Sequence, residues 1–106
     1  MALQHLHAGE SVQLSPVCSA MGAKTVALVK TDRFEAVKIV LHARDEISEH
    51  AVAGYATLLC LEGVVTVRLN DEVRLDAGAW LYLDRGQRHS ISALENSSLL
   101  LTILFD

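Results

Sequence analysis

Residues 64–75 read VVTVRLNDEVRL and indicate the fold class of this chain. Apolar and polar residues alternate on both sides of Asn70-Asp71, and most of the apolar ones are β-branched. Alternation with a period of two indicates strands, and Asn and Asp tolerate the positive φ that tight hairpin turns require. The stretch therefore predicts a β-hairpin, with Arg68 and Arg74 on its solvent-exposed face.

Further β-rich runs flank this hairpin on both sides. Turn residues recur near positions 32, 45, 54, 63, 71, 78, 86 and 96. Intervals of roughly 7 to 13 residues between turns are typical of an all-β sandwich or barrel. We expect an N-terminal arm over 1–22 and one barrel domain over 23–106. The predicted strands are 25–30, 34–42, 55–61, 64–69, 72–75, 79–83, 89–94 and 98–105, with a short additional strand at 11–14.

The composition limits the classes of partner. Hydrophobic residues make up 51% of the chain and charged residues 21%, which excludes intrinsic disorder. The net charge of −4 argues against nucleic acid as a partner. The longest apolar stretch, 99–105, is far shorter than the ~20 residues of a membrane span, and the N-terminus has no signal-peptide pattern. We therefore expect a cytoplasmic protein, which agrees with its having two cysteines, Cys18 and Cys60.

Two segments carry a resemblance to a known family. Residues 50–63 read HAVAGYATLLCLEG, and residues 78–89 read GAWLYLDRGQRH. They resemble the two motifs of the cupin superfamily, and the resemblance covers residues 34–105. It rests on the LEGVVTV stretch and on the spacing of Gly78, Gly86 and His89. It implies an all-β fold, the single-domain double-stranded β-helix or small jelly-roll barrel of cupin 2 type.

The resemblance also implies a degenerate metal site. His50 and His89 fall on two of the family's four ligand positions, whereas Val52 and Ala56 fall on the other two. Aliphatic side chains cannot coordinate a metal, and zinc or non-heme iron requires three or four ligands. The sequence therefore favours a barrel that has lost the full metal site.

The first functional prediction is a barrel that binds or senses a small molecule. If β-strand 55–61 turns Ala56 inward, its alternate residues line the same cavity, which is then apolar with two polar groups. Such a cavity suits a small organic ligand better than a hard oxyanion. The predicted pocket consists of His50, Val52, Ala56, Leu58, Cys60 and His89.

An enzyme is the alternative. A dioxygenase or isomerase of cupin type would hold iron, zinc, nickel or manganese with His50, His89 and a third ligand, either His42 or Tyr55. A metal-free enzyme would use the two histidines as general acid and base. A third alternative is an interaction module in which the barrel serves as a dimer unit. The aliphatic residues at positions 52 and 56 weigh against an oxygenase.

We also expect a homodimer. A mean hydropathy of +0.30 in so short a chain indicates more apolar surface than one barrel hides, and the resemblance implies pairing through the sheets. The predicted strand 98–105 is apolar on both faces, with Leu100 and Leu104 on one and Leu99, Leu101 and Ile103 on the other. This pattern predicts burial on both sides, by the second sheet and by a partner or the N-terminal segment.

Overall fold

The computed structural model describes residues 5–14 and 24–105. Within these ranges the chain forms two antiparallel sheets, with strand orders β1-β2-β9-β4-β7 and β3-β8-β5-β6. The strands are β1 (Val26–Lys30), β2 (Phe34–Leu41), β3 (Glu46–His50), β4 (Tyr55–Glu62), β5 (Val64–Arg68), β6 (Glu72–Asp76), β7 (Trp80–Leu83), β8 (His89–Ala93) and β9 (Ser97–Leu104). The described residues include no helix long and apolar enough to cross a membrane.

The hydrophobic core lies between the two sheets because alternate residues of their strands point inward. Each Leu, Ile or Val that is fully buried contributes about 1.5–3 kcal/mol of stabilisation. This arrangement confirms the predicted all-β double-stranded β-helix. The buried apolar residues are Ile39, Leu41, Ala56, Leu58, Cys60, Val65, Val67, Leu75, Leu83, Ile91, Ala93, Leu99, Leu101 and Ile103.

Eight of the observed strands occur where the sequence predicts them, with ends shifted by a residue or two. The exception is β3, which the sequence pattern does not predict because Ile47 is its one apolar residue. The predicted strand at 11–14 is wrong, since these residues form no strand and Val12 is 48% exposed. Leu6 donates its backbone N–H to the carbonyl of Leu28 at 2.7 Å, so this part of the arm lies beside β1. Residues 1–4 and 15–23, with Cys18, lie outside the described residues.

The β5–β6 hairpin is confirmed, but its turn differs from the predicted one. Among the described non-glycine residues, positive φ occurs at Arg44 and not at the Asn-Asp pair. A three-residue loop connects the strands instead, with the N–H of Leu69 donated to the carbonyl of Asp71 at 2.9 Å. On the exposed face, Arg68 forms an ion pair at 3.2 Å with Glu72, its partner on the neighbouring strand.

β9 is buried on one face only. Leu99, Leu101 and Ile103 point into the core, whereas Leu100 is half-buried and Leu104 is 49% exposed. The expectation that the second face is covered is therefore not met within the described part of one chain.

Candidate functional site

A β-bulge brings His50 and His89 together at one end of the barrel. Ile47 pairs with Ile91, and His50 pairs with His89, so β3 uses three residues where β8 uses two. Strict alternation over the three residues from the inward-facing Ile47 would point His50 away from the core. The bulge turns it back, and the two imidazole centroids lie 4.2 Å apart with the rings tilted by 56°.

Backbone carbonyls fix the tautomer of both imidazoles. His50 Nδ1 lies 3.0 Å from the carbonyl of Ser48, and His89 Nδ1 lies 3.1 Å from the carbonyl of Gln87. Because a carbonyl only accepts, each Nδ1 carries the proton and donates it. In the neutral rings each Nε2 is then an acceptor, and neither has a hydrogen-bond partner among the described residues.

The environment of His89 disfavours its charged form. Its side chain is buried, with 1% of the residue exposed. Burial lowers the pKa of the His89 imidazole below 6.5, the hydrogen bond to Gln87 opposes this shift, and the neighbouring His50 adds to it. The His89 ring is therefore favoured in its neutral state, in which its Nε2 is an acceptor.

The other predicted pocket residues lie on the inner face of the barrel. Ala56, Leu58 and Cys60 alternate along β4 and are at most 1% exposed, and half-buried Val52 packs against the core. The thiol of Cys60 lies 3.4 Å from the carbonyl of Glu62. These side chains are thus part of the packed apolar core of the barrel.

The structure does not bring the predicted third metal ligands to the pair. His42 is exposed in the β2–β3 turn, where its backbone N–H is donated to Asp45 Oδ2 at 2.9 Å. Tyr55 lies on the outer face, where its hydroxyl accepts a hydrogen bond from Arg85 at 3.1 Å. Neither side chain is therefore placed beside the histidine pair in the described part of the chain.

Two imidazoles do not fit a resident metal. No three His, Cys, Asp or Glu side chains within residues 5–14 and 24–105 are grouped to hold a metal ion. Zinc and non-heme iron sites require at least three protein ligands, and Val52 and Ala56 supply none. The adjacent acid, Glu49, contacts Arg88 at 3.1 Å on the surface.

A polar groove that the sequence analysis did not predict lies on the outer face of the four-stranded sheet. It has a volume of about 590 Å³ and includes none of the predicted pocket residues. Polar positions that alternate with buried ones, such as Ser90 and Ser92 on β8, are the sequence signal for this face. Its lining consists of Glu46, Ile47, Ser48, Glu49, Thr66, Arg68, Glu72, Ser90, Ile91 and Ser92.

Comparison with known proteins supports the architecture. No family model matches the sequence, and no curated protein matches it significantly. A cupin superfamily protein from Desulfitobacterium hafniense matches all of this chain and all of its own, with 20% identity and a TM-score of 0.80. A conserved protein of unknown function from Streptococcus pyogenes is similar over 100% of this chain and 96% of its own, with 17% identity and a TM-score of 0.80.

A third structure is similar over part of its length. An HTH_3 family transcriptional regulator from Vibrio cholerae matches 79% of this chain and 52% of its own, with 18% identity and a TM-score of 0.67. At these identities the likeness concerns the fold.

Proposed function

We propose that this chain, which has the cupin barrel fold, binds a small organic molecule at the His50–His89 pair without a resident metal. The observation that carries this proposal is the pair itself: two imidazoles in contact, each with Nδ1 bonded to a backbone carbonyl. Two Nε2 acceptors in apolar surroundings are a small set of positioned polar groups of the kind that orients a ligand.

The hydrogen-bond roles define the chemical class of the ligand. Both Nε2 atoms accept while the rings are neutral, so the ligand must present a donor, such as a hydroxyl, an amine or an amide N–H. A carboxylate brings only acceptors and finds no donor from either ring. The His89 side chain is buried in a barrel whose core is apolar, including the inner face of β4. The proposed ligand is therefore an apolar molecule that carries a hydroxyl or an amine.

Sensing is the role we propose for this binding. A barrel of similar fold forms about half of the Vibrio cholerae transcriptional regulator, and the present chain aligns with it over most of its length. The metal-dependent enzyme is the less favoured function, because His42 and Tyr55 lie away from the histidine pair. A metal-free acid–base enzyme uses the same two imidazoles, and turnover of a bound probe would identify it.

Binding is tested by titrating ¹⁵N-labelled protein with benzyl alcohol and benzylamine while observing the imidazole nitrogens. We expect the Nε2 resonances of both site histidines to move with either probe, whereas benzoate of similar shape leaves them in place. His50→Ala and His89→Ala remove the response, and His42→Ala, at an exposed turn, keeps it. Equal responses to all three probes, or a response that survives both site variants, would refute the proposal.

The absence of a resident metal is tested separately by elemental analysis of untagged protein purified without chelator. We expect iron, zinc, nickel and manganese each well below one per chain, before and after incubation with the metal. A His50→Ala, His89→Ala double variant serves as the control. A stoichiometric metal that the double variant loses would restore the metalloenzyme and overturn the metal-free site.

A further inference from the structure

The polar groove on the outer face of the four-stranded sheet takes no part in the binding proposed for the histidine pair. Its floor lies on the central strands β8 and β5, whose outward residues Ser90, Ser92 and Thr66 have small hydroxyl side chains. The edge strands carry longer charged side chains, Glu46 on β3 and Glu72 on β6. This difference in side-chain length leaves a groove of about 590 Å³ over the middle of the sheet.

The strand register arranges the outward residues of this face in two rows across the sheet. The first row is Glu46, Ser92, Thr66 and Arg74. The second row is Ser90, Arg68 and Glu72, and the bulge residues of β3 lie at its other end. Both rows therefore place hydroxyl groups between charged side chains, and each hydroxyl is able to donate and to accept a hydrogen bond.

The small hydroxyl residues of the floor are not what the fold alone selects. Outward positions of strands favour β-branched and aromatic residues, which cover more of the sheet. Ser90 and Ser92 instead occupy both outward positions of β8, a central strand, and are half-buried. The groove is thus formed by residues whose polar groups stay accessible between larger neighbours.

One carboxylate of the groove has no cation beside it in the described part of the chain. Arg68 forms an ion pair at 3.2 Å with Glu72, and Glu49 forms one at 3.1 Å with Arg88, which is not a lining residue. Among the same described residues Glu46 has only a hydroxyl contact, at 3.5 Å. The lining therefore has three carboxylates and one guanidinium, with Glu46 available to a cationic ligand.

We propose that this groove binds a small polyhydroxylated amine of the amino-sugar class, with the ammonium on Glu46 and the ligand hydroxyls on the serine and threonine hydroxyls of the floor. A charge-assisted hydrogen bond is about twice as strong as a neutral one, so Glu46 selects the amine. A sugar acid meets the same carboxylate with like charge and is repelled. The groove volume lies within the ~300–1,000 Å³ of small-molecule sites.

This groove is independent of the histidine pair. Its polar side chains point outward, whereas His50 and His89 point into the barrel from two of the same strands. An amino sugar lacks the apolar body that suits the barrel interior, so it is a ligand for the groove alone.

Titration of ¹⁵N-labelled protein with three sugars of similar size tests the proposal, at a pH where the amine of glucosamine is protonated. The backbone amides of the groove strands report binding, so the result does not depend on whether the histidine pair binds its own ligand. We expect saturable shifts of the Ser90 and Ser92 amides with glucosamine, about tenfold weaker binding of glucose, and no binding of glucuronate. Added salt weakens the binding of glucosamine, because exposed charges are screened.

Matched variants identify the carboxylate. Glu46→Gln keeps the shape of the side chain and removes its charge, so it lowers the affinity for glucosamine about tenfold and leaves that for glucose unchanged. The control is Glu95→Gln, because Glu95 is exposed in the β8–β9 turn and does not line the groove. It binds glucosamine as the wild type does, and far-UV circular dichroism confirms that both variants are folded. No saturable shift at millimolar glucosamine, equal binding of glucose, or wild-type affinity of Glu46→Gln would each overturn the proposal.

Discussion

The hydroxyl of Ser97 accepts a hydrogen bond from the backbone N–H of Val64 at 3.1 Å. Its own proton is donated to the carbonyl of Glu95 at 2.7 Å. Ser97 is fully buried at the start of β9, and Val64 begins β5, so this side chain links the two sheets at the point where β4 turns into β5. The buried hydroxyl thus provides a hydrogen-bond acceptor for a backbone N–H, which an apolar side chain of the same size cannot do.

Ser97→Ala should therefore destabilise the fold by about 1–3 kcal/mol, since the N–H of Val64 is left without its acceptor. Urea unfolding monitored by circular dichroism measures the change. Ser92→Ala is the control, because the Ser92 hydroxyl faces outward and its contact with Glu46 is long, at 3.5 Å. The control should change stability by less than about 0.5 kcal/mol. Equal effects of the two substitutions would contradict the assigned role of Ser97.

Alanine substitutions at two glycines with left-handed backbone conformations should distinguish the cost of backbone strain from that of a steric clash. Gly63 has a φ of 82° and Gly78 a φ of 91°. A methyl group at Gly78 meets open space, whereas one at Gly63 meets the carbonyl of Asn96 and the side chain of Ser97. Gly78→Ala should cost about 1–2 kcal/mol from backbone strain alone. Gly63→Ala should cost clearly more in the same urea experiment, and a smaller loss than for Gly78→Ala would refute this explanation.

Stability should depend on pH through His89. Burial lowers the pKa of His89 in the folded chain below 6.5, so the neutral ring favours folding. As the pH falls through 6.5 towards the lowered pKa, the unfolded chain binds a proton that the folded chain resists, and stability decreases. Above that window the contribution of His89 is constant. Urea unfolding from pH 8 to 5 should show a steeper acid loss for wild type than for His89→Gln.

The exposed His42 provides the matched control for this experiment. His42→Gln should keep the wild-type pH profile, because its ring is not buried in the folded chain. If His42→Gln and His89→Gln flatten the profile equally, the buried imidazole is not the group responsible.

A charge introduced at two adjacent residues of β9 should have very different effects on stability. Ile103 is buried in the core, and Leu104 is 49% exposed on the outer face of the five-stranded sheet. Ile103→Asp places an unpaired carboxylate in the core and should cost several kcal/mol, enough to unfold a domain of this size. Leu104→Asp should leave the thermal melt of the monomer near that of wild type. A folded Ile103→Asp variant would show that the register assigned to β9 is wrong.

Strand alternation was sufficient to predict the barrel, because the signal is repeated along eight strands. The inward residues of β9 and β4, such as Leu99 and Leu58, are apolar at every second position, and core burial enforces this pattern. The family spacing likewise pointed to His50 and His89, which the structure places in contact.

The remaining features depend on geometry that the pattern does not encode. β3 is a strand because it pairs with β8, even though Ile47 is its one apolar residue. His42 was a reasonable third ligand from its position before β3, but the β2–β3 turn holds it in solvent. The strand register is likewise seen only in the structure, which aligns Trp80 with Leu59 across β4 and β7.

The bulge between Ile47 and His50 has an evolutionary consequence. Because the bulge accommodates one extra residue, a regular strand that is one residue shorter also turns the histidine inward, opposite His89. A single-codon deletion at position 48 or 49 therefore removes the bulge and keeps the two imidazoles opposite each other, whereas deletion of both residues reverses the direction of the histidine. The histidine pair is thus compatible with two strand lengths in this segment, without substitution of either histidine.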